Sequence, residues 1–181
     1  MKHLNLFGFL AMLFFGIGWA NPVPINTRNF KKPRRDMALS AAAGPLSNLL
    51  MGVLFALLYE ITYSVASVIP VTSESTANVL SVLLLFLMLG SHLNVFLAVF
   101  NLLPIPPFDG SRLFYIFLPT KLYFRVMKYE RYIMMGILGL LLVESWVLGG
   151  RGIMLGGISW LANFIHNGIY YLLGLIPFFR A

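Results

Sequence analysis

The chain has 181 residues, 59% of them hydrophobic and only 10% charged. Soluble domains carry about 25% charged residues, so this composition excludes that class and reads as an integral membrane protein. With no cysteine, disulfides and thiolate metal sites are excluded too, and the +7 net charge must be judged by where it lies.

Residues 4–20 form the first apolar run, short for a span at 17 residues and containing three glycines. Lys2, the apolar centre and Gly18-Trp19-Ala20 imitate a secretory signal peptide. Arg28, Lys31, Lys32, Arg34 and Arg35 follow, however, and secretion would leave them outside, against the positive-inside tendency. The run is therefore expected to stay embedded, either spanning or re-entrant. Pro22 and Pro24 favour extended backbone, so residues 19–30 read as a short β-hairpin, an edge strand or an ordinary proline loop.

Residues 37–58 are the second expected segment. Ala38, Ala41, Ala42, Ala43, Gly44 and Ser47 at its start allow close helix–helix approach in lipid. Pro45 suits the first turns of such a helix. Asn48 puts an amide at membrane depth, where a hydrogen bond to a neighbouring helix is a commoner use than catalysis. Residues 60–77 contain no Lys or Arg and read as an outward-facing polar loop. Residues 78–103 return through the membrane with Gly90, Ser91, His92 and Asn94 at their centre. No second histidine lies at i+4, so His92 reads as structural rather than as a ligand.

The next loop, residues 104–132, carries Arg112, Lys121, Arg125, Lys128 and Arg131. Ten of the thirteen Lys and Arg thus sit in loops 21–36 and 104–132, two spans apart, which places both in the cytoplasm of an inner-membrane, multi-pass protein. The basic charge reads as topology and contact with the lipid bilayer, with no nucleic acid as partner. Residues 133–148 and 153–179 complete an all-α bundle of about five membrane segments, a single membrane domain over 1–181. Glu144 falls near the outer end of the fourth segment, and GGRG at 149–152 makes a tight turn.

One stretch stands apart: residues 101–112, NLLPIPPFDGSR, which hold Asp109, one of only six acidic residues. A bare charge costs about 2.5–3.5 kcal/mol at a bilayer centre, so Asp109 must be neutral, paired or metal-bound. Pro104, Pro106 and Pro107 rule out a regular helix before it, and Gly110 permits a turn or close backbone approach. On local pattern alone, the plainer reading is a helix end with Asp109 capping the next element.

Taken in order, GWANPVPIN, RNFKKPRR, AAAGPLSNLL and FNLLPIPPFDGSRLF closely resemble the bacterial site-2 protease family, intramembrane zinc metalloproteases of peptidase family M50. The resemblance runs from about residue 4 to beyond Leu113 and weakens after residue 120. It implies a core of membrane helices in which an HExxH motif gives two zinc ligands and a general base. The third ligand corresponds to Asp109, framed by Asn101, Pro104, Pro106, Pro107 and Gly110. Gly44-x-x-x-Asn48 matches a motif at the active-site face, which makes Asn48 a candidate for orienting the substrate. Phe108 stands where leucine is usual.

The resemblance also exposes a gap, because these 181 residues contain no HExxH. His3, His92 and His166 are scattered, and none has a glutamate beside it. The family pattern places HExxH one helix upstream of Met1, so the chain is expected to begin in mid-domain. The expectation is a zinc metallopeptidase acting on a transmembrane protein substrate, inactive and without bound zinc as this chain alone. The alternative is a non-catalytic pseudoprotease that binds membrane clients.

Overall fold

The computed structural model describes residues 31–69, 73–106, 108–149, 152–176 and 179. The apolar run at 4–20 and the hairpin expected at 19–30 lie outside them. Every element among the described residues is helical.

Helix α1, Pro33–Val68, opens with proline in its first turn, where a missing N–H costs nothing. The Asp36 carboxylate accepts a 2.9 Å hydrogen bond from the Lys32 amide, tying the start of the helix to the basic segment. The helix then runs well past the expected end at residue 58. Thr62 Oγ1 donates to the Leu58 carbonyl and Ser67 Oγ to the Ser64 carbonyl, both at 2.7 Å. These hydroxyls serve their own helix, so the polar stretch after Glu60 stays helical instead of opening into a loop. Pro45 also departs from expectation. It lies in the helix interior with its side chain fully buried, and it cannot donate to the Ala41 carbonyl.

Helix α2, Glu74–Asn101, runs antiparallel to α1, as shown by Gly52 meeting Ser91 and Val95 while Phe55 meets Phe86 and Gly90. Glycine makes this seam possible. A Cβ on Gly52 would stand 2.8 Å from the Val95 side chain, and one on Gly90 2.8 Å from the Phe55 ring. Ser91 Oγ, fully buried, donates across the seam to the Gly52 carbonyl at 2.9 Å. Helix α3, Asp109–Phe114, follows a proline-rich turn, and a 3-10 turn, Tyr115–Phe117, leads from it to α4, Thr120–Trp146. Helix α5, Ile153–Leu173, returns against α2, where Val95, Val99, Ile158 and Ala162 form the buried core.

The outer surface is apolar to a degree that soluble proteins avoid. Leu50, Phe86, Trp160 and Tyr171 are among many large hydrophobic side chains left exposed. Two helices, α1 from Arg35 onward and α2, are long and apolar enough to cross a membrane. A bundle facing lipid accounts for both facts.

Helix α4 packs on α5 and is fastened to it by Glu144. The Glu144 side chain is buried, and its two carboxylate oxygens accept hydrogen bonds from the Met154 and Leu155 amides at 3.0 and 2.7 Å. It thereby satisfies N–H groups that the first turn of α5 leaves free. Gly149 turns the chain with φ +56°, and a Cβ at Gly152 would collide with the Glu144 carboxylate. Replacing Glu144 with Ala should cost about 2 kcal/mol or more, because charged hydrogen bonds are lost and buried donors are orphaned. Glu144→Gln, which keeps one acceptor, should lose less. Thermal unfolding of the detergent-solubilised protein, followed by tryptophan fluorescence, measures both.

Candidate active site around Asp109

The site is built by the breakdown of α2. After Asn101 the helix stops, with Leu102 still bonded to Ala98 and Pro104 already outside helical pairing. Phe108 N–H donates to the Ile105 carbonyl at 3.1 Å, which closes a tight turn after the helix. Pro106 and Phe108 are buried, and the Phe108 ring meets Phe100 edge-on at 4.5 Å. Gly110 is buried against the Leu102 carbonyl, where a side chain would collide with backbone. Only glycine fits there. Asn101 is half-buried at the helix end, Pro104 is exposed, and Pro107 lies outside the described residues.

This turn delivers Asp109, half-buried, against Gly44 of α1. A Cβ on Gly44 would stand 3.1 Å from Asp109 Oδ2, so the two positions are in contact and a larger residue would press on the carboxylate. The plainer sequence reading, with Asp109 capping the following helix, does not describe this arrangement. Phe108 occupies the cap position and no side chain caps α3, while Ser111 Oγ donates to the Phe108 carbonyl at 2.7 Å. Asp109 makes no hydrogen bond or ion pair among the described residues.

Arg112 sits one turn further on α3 and is turned elsewhere. It donates to Met37 Sδ at 3.3 Å and pairs with Glu130 at 3.9 Å, joining α3 to α1 and α4. Burial raises the Asp109 pKa from its ordinary value, and the nearby Arg112 charge opposes part of that rise. Asn48, half-buried, lies one turn from Gly44 along the α1 stripe that continues to Gly52. Gly44 and Asp109, far apart in sequence, are thus brought together, with Asn48 next along the same face.

Zinc sites take three or four protein ligands. Among the described residues no group of three His, Cys, Asp or Glu could hold a metal ion. His92 and His166 do not approach that role, yet they are not isolated. Their rings meet at 5.2 Å, a pairing across α2 and α5 that sequence spacing concealed.

Residues 26–143 match Peptidase family M50. The chain belongs to that family. It is 36% identical over 132 residues to the Bacillus subtilis (strain 168) protein named "Putative zinc metalloprotease YwhC", a match covering 73% of this chain and 58% of the relative. It is 32% identical over 108 residues to "Putative zinc metalloprotease MJ0611" of Methanocaldococcus jannaschii, covering 59% of this chain and 48% of that one. The chain therefore spans about half the length of these M50 relatives. No solved structure matches it.

The Gly44–Asp109 contact is open to a direct test, because the chain has no native cysteine. Gly44→Cys with Asp109→Cys should form a disulfide under mild oxidation, and the pair should migrate faster on non-reducing gels. A Leu50→Cys/Asp109→Cys pair, with Leu50 exposed on the lipid side, should remain reduced. The electrostatics can be checked as well. Arg112→Gln removes the lowering influence, so Asp109 should titrate at a higher pH than in the parent chain. Carboxyl ¹³C shifts of labelled aspartate read this, since Asp36 is the only other aspartate.

Proposed function

We propose that this chain carries one wall of an intramembrane zinc peptidase site of the site-2 type, acting on a transmembrane protein substrate. The observation that carries the reading is the Asp109 carboxylate, uncapped, without a partner among the described residues and pressed against Gly44. In this reading Asp109 is one zinc ligand, and the HExxH pair comes from a segment additional to these 181 residues. A zinc ion held by three protein ligands lowers the pKa of bound water to about 7 and polarises a carbonyl. Gly44 keeps α1 from crowding that carboxylate. Asn48, next along the stripe, supplies an amide to hydrogen-bond the backbone of an extended substrate.

The reading extends to orientation. Lys31, Lys32 and Arg35 at the start of α1 and Arg112, Lys121 and Arg125 after α2 fall at one end of the antiparallel pair. Positive residues favour the cytoplasmic side, so the Asp109 end faces the cytoplasm of an inner membrane, with water and peptide product on that side.

A second reading has a specific observation behind it. Among the described residues no three His, Cys, Asp or Glu gather around Asp109 or elsewhere, which suits a protein that holds membrane clients without cutting them.

The purified chain, incubated with zinc and a fluorogenic transmembrane peptide, should not cleave it. Fusing a membrane helix bearing HExxH ahead of Met1 should confer zinc-dependent cleavage, and Asp109→Asn in that fusion should abolish it. If the fusion binds zinc equally well with Asp109→Asn, Asp109 is not a ligand and the peptidase reading fails.

A further inference from the structure

The chain has six acidic residues, and all but Glu60 have an evident role or setting. Asp36 accepts from the Lys32 amide, Glu130 pairs with Arg112, and Glu144 accepts from the Met154 and Leu155 amides. Glu74 is exposed in the first turn of α2, and Asp109 belongs to the candidate active site. Glu60 of α1 is half-buried and makes no hydrogen bond or ion pair among the described residues. A carboxylate set in a membrane-crossing helix calls for a cationic partner.

The surroundings of Glu60 indicate which cation. A cavity of about 370 Å³ opens beside it, lined by Tyr59 and Tyr63 of α1 and by His166 and Tyr170 of α5, among others. None of the lining residues is Lys or Arg. The Tyr63 ring lies parallel to Tyr59 at 6.2 Å, and Tyr170 meets Tyr59 at 5.6 Å with the planes 74° apart. Tyrosine rings in two orientations therefore line the space next to one carboxylate. Aromatic faces attract organic ammonium groups, whereas calcium and magnesium need several oxygen ligands that a single carboxylate does not supply. The His166 Nε2 atom is buried without a hydrogen-bond partner. As an acceptor it suits an ammonium that still carries N–H groups, which a quaternary one does not.

We propose that Glu60 with Tyr59, Tyr63 and Tyr170 binds a primary alkylammonium group, supplied by the headgroup of an ethanolamine phospholipid. Position along α1 supports the lipid as the source. From Arg35 to Glu60 the helix rises about 38 Å. A hydrocarbon core is about 30 Å thick, and the whole bilayer about 40–45 Å with its headgroups. With the basic start of α1 in one headgroup layer, Glu60 lies in the other. A headgroup amine there neutralises the carboxylate and touches both α1 and α5, which holds these helices together at the end of the bundle away from Asp109.

The test is native mass spectrometry of the full chain released from detergent, with ethanolamine, choline and glycerol phospholipids of identical acyl chains. Equal chains leave the headgroup as the only difference. The ethanolamine lipid should bind at one molecule per chain and about tenfold more tightly than the other two, the scale of one hydrogen bond to a charged group. Glu60→Gln should erase the preference. Tyr63→Leu changes an exposed ring that folding does not need, and should reduce the preference about threefold. Asp109→Asn should leave it intact, and excess n-butylamine should displace the bound lipid. Choline or glycerol lipid binding as tightly as the ethanolamine lipid overturns the proposal. So does a preference unchanged in either the Glu60 or the Tyr63 variant, or one lost with Asp109→Asn. Butylamine that binds through Glu60 without displacing lipid makes a free amine the ligand and overturns the lipid source.

Discussion

The molecule depends on how closely α2 can approach α1. In lipid there is no hydrophobic gain in burying one apolar helix against another, so association rests on van der Waals contact and interhelical hydrogen bonds. Gly52 and Gly90 bring backbone and side chain within reach at two points, and Ser91 adds a buried hydrogen bond to the Gly52 carbonyl. Everything else takes its position from that seam. The chain leaving α2 must turn back over α1, and Gly44 lies where it lands.

That turn explains why proline and glycine crowd into so few residues. A membrane helix ends at a cost, because its last carbonyls lose their partners where water is scarce. Pro104 and Pro106 enforce the ending, the Phe108 amide donates to the Ile105 carbonyl, and Gly110 lies so close to the Leu102 carbonyl that a side chain there would collide with it.

Much of this was legible in the residues. The apolar composition pointed to an all-helical protein with membrane-crossing helices, and NLLPIPPFDG and Gly44-x-x-x-Asn48 are the two stretches that meet where Asp109 lies against Gly44. What escaped had physical causes. Serine and threonine past Glu60 look like loop residues, but their hydroxyls bond back to their own helix. Pro45 looked like a first-turn residue because the basic start of α1 was assigned to a loop. Glu144 showed only as an acid near a helix end, since its partners are amides ten and eleven residues on. The His92–His166 pairing joins residues 74 positions apart, and no local periodicity records such a contact.

The distribution of polar groups along α1 gives the bundle its logic. One stripe of that helix passes Gly44, Asn48 and Gly52 in successive turns, facing first the Asp109 carboxylate and then Ser91. Small residues occupy the two levels where another element comes close, and the amide sits between them. Bulky side chains on this stripe would separate α1 from both the α3 turn and α2 at once, which ties the stability of the seam to the geometry at Asp109. The His92–His166 ring contact lies on the other side of α2, between α2 and α5, next to the packed cluster of Val95, Val99, Ile158 and Ala162.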